Sequence, residues 1–289
     1  MIIDELYQRV AKNGHVCLGL DTDMDYIPKW FLDKYNDIED ALFNFNKKII
    51  DETLDVVACY KVQIAYYEAY GLSGLKAYKK TLQYIKNEKA ISVADIKRGD
   101  IAKTAEMYAK AHFDGDFESD FVTLNPYMGF DSVEPYLPYI ENKEKGAFIL
   151  LRTSNPGSKD IQYIATDKEE RVYNVVGEKI NTLGKAYLGE CGYSSIGAVV
   201  GCTTGFEGKE IRDKYKSTFF LIPGYGAQGG TAEDVANYLS EGNGGIVNSS
   251  RGILLAYKKV DNGQHSFEKC ARNAAINMRD DIMSYSKNK

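Results

Sequence analysis

The sequence predicts a single-domain α/β protein, a (β/α)8 TIM barrel over residues 1–289. Eight short apolar runs alternate with helical stretches, polar residues follow nearly every run at its carboxyl end, and no linker or low-complexity segment divides the chain. The runs are near-continuously apolar, as strands buried on both faces must be. A doubly wound open sheet shares the alternation, but polar residues at strand after strand match the functional face of a barrel. A prior of about 150 residues per domain would allow two domains, yet single barrels of about 250 residues or more are common.

The first run, Val16-Cys17-Leu18-Gly19-Leu20, ends in Asp21. A helix over 37–54 follows, with Ile38, Leu42, Phe45 and Ile49 on one face. The second strand, over 56–60, ends in Lys61, and a helical region runs to Asn87. The third opens at Ile91 and ends in the charged residues Asp95, Lys97 and Asp100, ahead of a helix over 101–113. The fourth, Phe121-Val122-Thr123-Leu124, ends in Asn125-Pro126. The fifth, over 147–151, ends in Arg152-Thr153-Ser154. A long loop to Thr166 follows, then a helix with Val172, Val176, Ile180, Leu183 and Tyr187 in register. The sixth, over 196–200, ends in Gly201-Cys202-Thr203-Thr204. The seventh, over 218–222, ends in Pro223-Gly224-Tyr225-Gly226-Ala227-Gln228-Gly229-Gly230. The eighth, over 245–247, ends in Asn248-Ser249-Ser250-Arg251-Gly252, and a helix over 267–285 closes the chain.

Composition narrows the function classes. Hydrophobic residues make up 44% of the chain, ample for a large core, and the net charge is −5 with no basic block or aromatic-basic run. That balance argues against nucleic acid as a main partner. The opening Met1-Ile2-Ile3-Asp4-Glu5 lacks a signal-peptide profile, and no apolar run approaches the roughly 20 residues needed to span a bilayer. The five cysteines are scattered, odd in number and free of C-x-x-C pairs. The expectation is a reduced, cytoplasmic protein with no membrane partner.

The third strand carries the chemistry. Side chains two apart on a strand share a face, so Asp95 and Lys97 point the same way. Gly99 loosens the backbone, and Asp100 stands where the next helix should begin. Asp100 could serve as an N-cap, and Asp95 with Lys97 could form an exposed ion pair. A signed array closing an apolar strand points instead to a reaction site. Lys61, on the neighbouring strand, completes the alternating set Lys61, Asp95, Lys97, Asp100. A Schiff-base lysine must be neutral, whereas carboxylates flanking Lys97 favour its ammonium form. A lysine held charged suits a reaction that builds negative charge on carbon and then protonates it.

The last two strand ends look like a phosphate site. Glycines allow close approach of backbone N–H groups to an anion, and the helix beginning near Thr231 adds a dipole, with Asp234 completing a variant capping box. Gly230, Ser250 and Gly252 belong to these loops, and Arg251 offers a bidentate guanidinium. Barrels commonly hold phosphate in the loops after strands seven and eight.

Asp95-x-Lys97-x-x-Asp100, with Lys61 on the preceding strand, closely resembles the orotidine 5′-phosphate decarboxylases. Thr153-Ser154-Asn155-Pro156-Gly157, the Pro223–Gly230 string and Asn248-Ser249-Ser250-Arg251-Gly252 resemble the longer form of that family. The likeness runs from Leu18 to about Leu255. It implies decarboxylation of orotidine 5′-phosphate to uridine 5′-phosphate, the last step of de novo pyrimidine synthesis, with no metal or cofactor. In that reading Lys97 protonates C6 of the pyrimidine, Asp95 sits near the departing carboxylate, and Lys61 links it to the ribose hydroxyls. Asp100, with Ile101 and Thr104, reaches the partner's active site in a homodimer. Asp21 binds ribose, Ser154 reads the pyrimidine's amide edge, and Pro223 packs on the ring. Gln228 bridges ring and phosphate, Arg251 holds the phosphate, and Asn125 is a further neighbour. Gln63 stands where the family would have an asparagine or similar residue, and its role is left open.

Two other readings are weighed. A metal-dependent sugar-phosphate lyase or synthase on the same barrel would need a carboxylate-rich oxygen shell. Here Lys61 and Lys97 occupy that space, and His15, His112 and His265 lie apart without ligand spacing. A nucleotide-binding regulator without catalysis would not need Lys61, Asp95, Lys97 and Asp100 all intact.

Overall fold

The computed structural model describes residues 1–142, 145–202 and 205–286. Parallel strands β1 (Val16–Gly19), β2 (Cys59–Gln63), β3 (Ser92–Arg98), β4 (Phe121–Leu124), β5 (Gly146–Arg152), β6 (Ser194–Val200), β7 (Thr218–Pro223) and β8 (Gly245–Ser249) close in sequence order into a barrel, β8 pairing back to β1. Around them run α1 (Ile2–Asn13), α2 (Lys29–Leu32), α3 (Ile38–Thr53), α4 (Ala65–Glu68), α5 (Gly71–Asn87) and α6 (Ala102–Phe113). The second half adds α7 (Leu137–Asn142), α8 (Val172–Gly184), α9 (Gly205–Lys214), α10 (Ala232–Ala236), α11 (Arg251–Leu254) and α12 (Phe267–Ser286).

Strand alternation divides the core in two. One set of side chains, including Cys17, Cys59, Val93, Phe121, Phe148, Phe219 and Ile246, fills the barrel interior. The other, including Leu18, Val62, Ala94, Ile149, Phe220 and Val247, packs outward against the ring of helices. Ile3, Leu6 and Val10 of α1 join the interior cluster, so this helix packs into the amino end of the barrel. The opposite, carboxyl end is left to polar residues.

Most strand positions follow the apolar runs, and the departures have local causes. The run at 56–60 begins too early: Val56 closes a turn onto Thr53, and Val56 and Val57 are buried in that turn rather than paired. Strand β2 therefore carries Lys61 inside it, opposite Gly19 of β1 and Val93 of β3. Helix α6 starts at Ala102, and its N-cap is Ile101 without a side-chain bond, so Asp100 is not the cap. Its carboxylate instead accepts the Ile101 N–H at 2.8 Å. On α8 the buried face is Tyr173, Gly177, Ile180 and Gly184, while Val176 and Leu183 pack only at its margin and Tyr187 lies past its end in a 3-10 turn, Lys185–Tyr187. The loop at 155–166 contains a short 3-10 turn, Pro156–Asp160. Thr231 caps α10 with the expected reciprocal bonds to Asp234, although that helix is only five residues long. Thr203 and Thr204 of the sixth strand end lie outside the described residues.

Candidate active site

The barrel's inward alternation brings Lys61 and Gln63 of β2 beside Asp95 and Lys97 of β3, with Gln63 in register opposite Asp95. Asp95 is the hub and is only 5% exposed. Lys61 Nζ lies 3.0 Å from its Oδ2, and Gln63 Nε2 donates to the same oxygen at 2.9 Å. Lys97 Nζ donates to Oδ1 at 2.6 Å, and Thr123 Oγ1 of β4 donates to Oδ1 at 2.8 Å. Lys61 Nζ also donates to Asp21 Oδ1 at 2.9 Å, and the other Asp21 oxygen accepts from Ser250 Oγ at 2.8 Å. The result is a continuous row, Ser250–Asp21–Lys61–Asp95–Lys97, across the carboxyl ends of β8, β1, β2 and β3.

Gly19 makes the first contact possible. A Cβ there would collide with Ser250 Oγ and press on Asn248 Oδ1. At the other end, Lys97 adopts a left-handed backbone with φ 44°, where the β3–β4 register shifts between Ala94 and Arg98. Thr123 Oγ1 accepts the Lys97 N–H at 2.9 Å and so replaces the lost ladder bond. The bend lifts the Lys97 side chain toward the open mouth, leaving it 47% exposed while its ammonium stays on Asp95. Gly99 is needed nearby because a Cβ would strike the Asn125 carbonyl.

Two buried members of this row, Asp95 and Lys61, are held ionised by their neighbours. Burial alone would raise the Asp95 pKa, but Lys61 and Lys97, with the Lys97 and Thr123 hydrogen bonds, pull it well below the usual carboxylate range. Burial alone would lower the Lys61 pKa, and Asp21 and Asp95 push it well above the ordinary lysine value instead. Lys61 is therefore a fixed cation, not an amine nucleophile. Among the described residues no group of three or more His, Cys, Asp or Glu is placed to hold a metal ion.

The expected pyrimidine and phosphate residues gather on the far side of the mouth. Ser154, after β5, donates to Gln228 Oε1 at 2.6 Å, joining the loops after β5 and β7. Pro223 is the last residue of β7, and a Cβ on Gly230 would collide with Cys202 Sγ. Arg251 and Gly252 are exposed at the start of α11. The glycine loop departs from expectation in one respect. Its N–H groups at Gly226, Ala227, Gly229 and Gly230 donate to carbonyls of residues 224–230 rather than forming an open cradle. On this side Arg251 supplies the charged donor and Gln228 a polar one.

Asp100, Ile101 and Thr104 do not join Lys61, Asp95 and Lys97 within the chain. Asp100 is spent on the Ile101 N–H, Ile101 is 45% exposed, and Thr104 faces outward. Asn125 Oδ1 accepts the Tyr127 N–H at 3.0 Å and shapes the turn after β4. The sequence reading missed Thr123, although it stands two positions after the inward-facing Phe121, and it left Gln63 without a role. Both are donors to Asp95.

The profile of the orotidine 5′-phosphate decarboxylase / HUMPS family matches residues 14–265. This chain belongs to that family. It is 72% identical over 282 residues to an orotidine 5′-phosphate decarboxylase of Clostridium acetobutylicum, covering 98% of this chain and 99% of the relative. To that of Clostridium kluyveri it is 64% identical over 289 residues, covering 100% and 99%. Among solved structures, the OMP decarboxylase of Leishmania donovani superposes with a TM-score of 0.77 at 27% identity, covering 98% of each chain.

Proposed function

We propose that this protein decarboxylates orotidine 5′-phosphate to uridine 5′-phosphate, supplying the last step of pyrimidine nucleotide synthesis. The observation that carries the reading is the row Asp21–Lys61–Asp95–Lys97 in a chain of this family. Breaking the C6–carboxylate bond leaves its electron pair on C6 and releases carbon dioxide. A preorganised cation lowers the energy of that carbanion, and Lys97 is the ammonium that reaches toward the open mouth. Lys97 Nζ then gives its proton to C6 and regains one from water.

The other residues divide the remaining work. Asp95 sits beside the departing carboxylate and holds Lys97 Nζ at 2.6 Å. Asp21 and Lys61 bind the ribose hydroxyls, Ser250 orienting Asp21. Ser154 reads the pyrimidine edge, Pro223 packs on the ring, and Asn125 shapes the adjoining wall. Gln228 and Arg251 hold the phosphate, with Gly230, Ser250 and Gly252 in the loops on either side. The phosphate is remote from C6, so its binding energy can be used to order the site. No cofactor takes part in this scheme.

The protein acts as a homodimer in this proposal. Asp100, Ile101 and Thr104 of one subunit enter the partner's site, opposite Lys61. Exposure of Ile101 (45%), Met107 (53%), Tyr127 (76%) and Met128 (51%) along the segments after β3 and β4 supports a covering surface there. A biosynthetic role of this kind belongs in the cytoplasm, and no helix of the described residues is long and apolar enough to cross a membrane.

The decisive assay follows loss of orotidine 5′-phosphate absorbance in the ultraviolet. The wild-type protein should convert it, and Lys97→Ala should lose turnover by many orders of magnitude while still binding uridine 5′-phosphate. Near-normal turnover by Lys97→Ala would remove Lys97 from its role.

A further inference from the structure

The loop carrying Gln228 stands over a cavity of about 580 Å³. Tyr225 and Ala227 line it from the loop, Ile253 and Lys259 from the segment after β8, and Asn277 and Asp281 from α12. The loop's own N–H groups are bonded within it, which fixes its shape but not its position on the barrel. Among the described residues, two side-chain hydrogen bonds tie it to the rest of the chain. On the mouth side Ser154 Oγ donates to Gln228 Oε1, and on the outer side Tyr225 Oη donates to Asp281 Oδ2 at 2.6 Å. The first tie joins two residues of the proposed substrate site, whereas the second lies outside that site.

We infer that Tyr225 and Asp281 are positioning residues that anchor the phosphate loop from behind, bridging the cavity to α12 so that Gln228 meets the phosphate in one place. Helix α12 is a firm anchor: it is 20 residues long and buries Ala271, Ala275, Met278 and Ile282. Burial and the Asp281 charge both hold the Tyr225 phenol protonated, so it donates throughout the neutral range. With a cavity behind the loop, loss of this bond leaves the segment to be ordered by the ligand, and binding the phosphate must then offset that cost. The inference rests on the phosphate-site reading above.

Tyr225→Phe, Asp281→Asn and the double variant test it, with Arg251→Ala as reference, each assayed on orotidine 5′-phosphate and on phosphate-free orotidine. Each single variant should lower kcat/KM for the nucleotide about three- to tenfold, mainly through KM, the scale of one exposed charge-assisted hydrogen bond. Each should leave the orotidine reaction within about twofold, and the double variant should be no worse than the single ones, because both remove the same bond. Equal losses on both substrates, unchanged kinetics, or fully additive losses would overturn the anchor. Arg251→Ala separates the two levels. If it erases the preference for the nucleotide while the Tyr225 and Asp281 variants keep wild-type preference, only the anchor is wrong. If it loses equally on both substrates, the phosphate site is misplaced and the anchor falls with it.

Discussion

Thr123→Val is the sharpest test of how the site is built. The substitution keeps shape and removes one hydroxyl that does two jobs, accepting the Lys97 N–H at 2.9 Å and donating to Asp95 Oδ1 at 2.8 Å. Lys97 sits at φ 44°, a left-handed conformation that costs a non-glycine residue roughly 1–2 kcal/mol. Without the hydroxyl, its N–H loses the partner that holds it there, and the backbone gains by relaxing toward an extended strand. Leaving a buried donor unpaired costs about 1–3 kcal/mol, so a stability loss of that size is expected by denaturant titration. The same range, spent on misplacing the ammonium, corresponds to roughly five- to 150-fold in kcat. Asp95 keeps its contacts to Lys61 and Gln63, so its charge stays paired. Uridine 5′-phosphate affinity should therefore stay within about threefold, since its contacts lie elsewhere. A kcat within twofold of wild type, measured at saturating substrate, would refute the claim that Thr123 places Lys97.

Two other expectations concern assembly and pH. Lys61→Ala and Asp100→Asn should each be nearly inactive alone. Refolding an equal mixture should make about half the dimers mixed and restore roughly a quarter of wild-type sites, because one site then carries both lesions and the other none. No recovery after exchange would place Asp100 in its own subunit's site. His112 is buried, and burial followed by the Arg98 charge lowers its pKa from 6.5 to about 4. The unfolded chain then binds the proton more readily, so stability is full above pH 6.5 and falls as the pH drops toward 4. At pH 5 this costs about 2 kcal/mol. His112→Leu should flatten that acid limb in urea titrations between pH 7 and 5, and an unchanged slope would reject the assignment.

The fold was legible because a parallel barrel writes each strand as a short apolar run and each functional end as a polar stop. Where the reading slipped, burial and pairing had parted company. Val56 and Val57 are as apolar as any strand residue, but they serve a turn, which displaced the start of β2. Helix α1 was not anticipated as the element packed into the amino end of the barrel, since an amphipathic helix does not disclose which surface it covers. The same limit applies to α8, where Gly177 and Gly184 share the packed face with Tyr173 and Ile180.

The site divides along the same line. Lys61, Asp95 and Lys97 were readable because charge at the end of an apolar strand is costly unless it is paired, and the register of adjacent strands says which charges can pair. Asp21 was given its ribose role by family resemblance, whereas Arg251 was placed at a phosphate by its position in the loop after the eighth strand. What pairing alone could not give is the supporting polarity. Thr123 and Gln63 are ordinary strand residues by composition, yet a buried carboxylate facing two lysines still has lone pairs to satisfy, and these two side chains satisfy them. Nor could sequence foresee that Lys97, a residue with a Cβ, would take the left-handed bend while Gly99, two residues on, serves a close approach to Asn125. Placing the strain on Lys97 itself turns its ammonium to the mouth without releasing Asp95. A glycine at 97 would adopt the bend without strain and supply no proton.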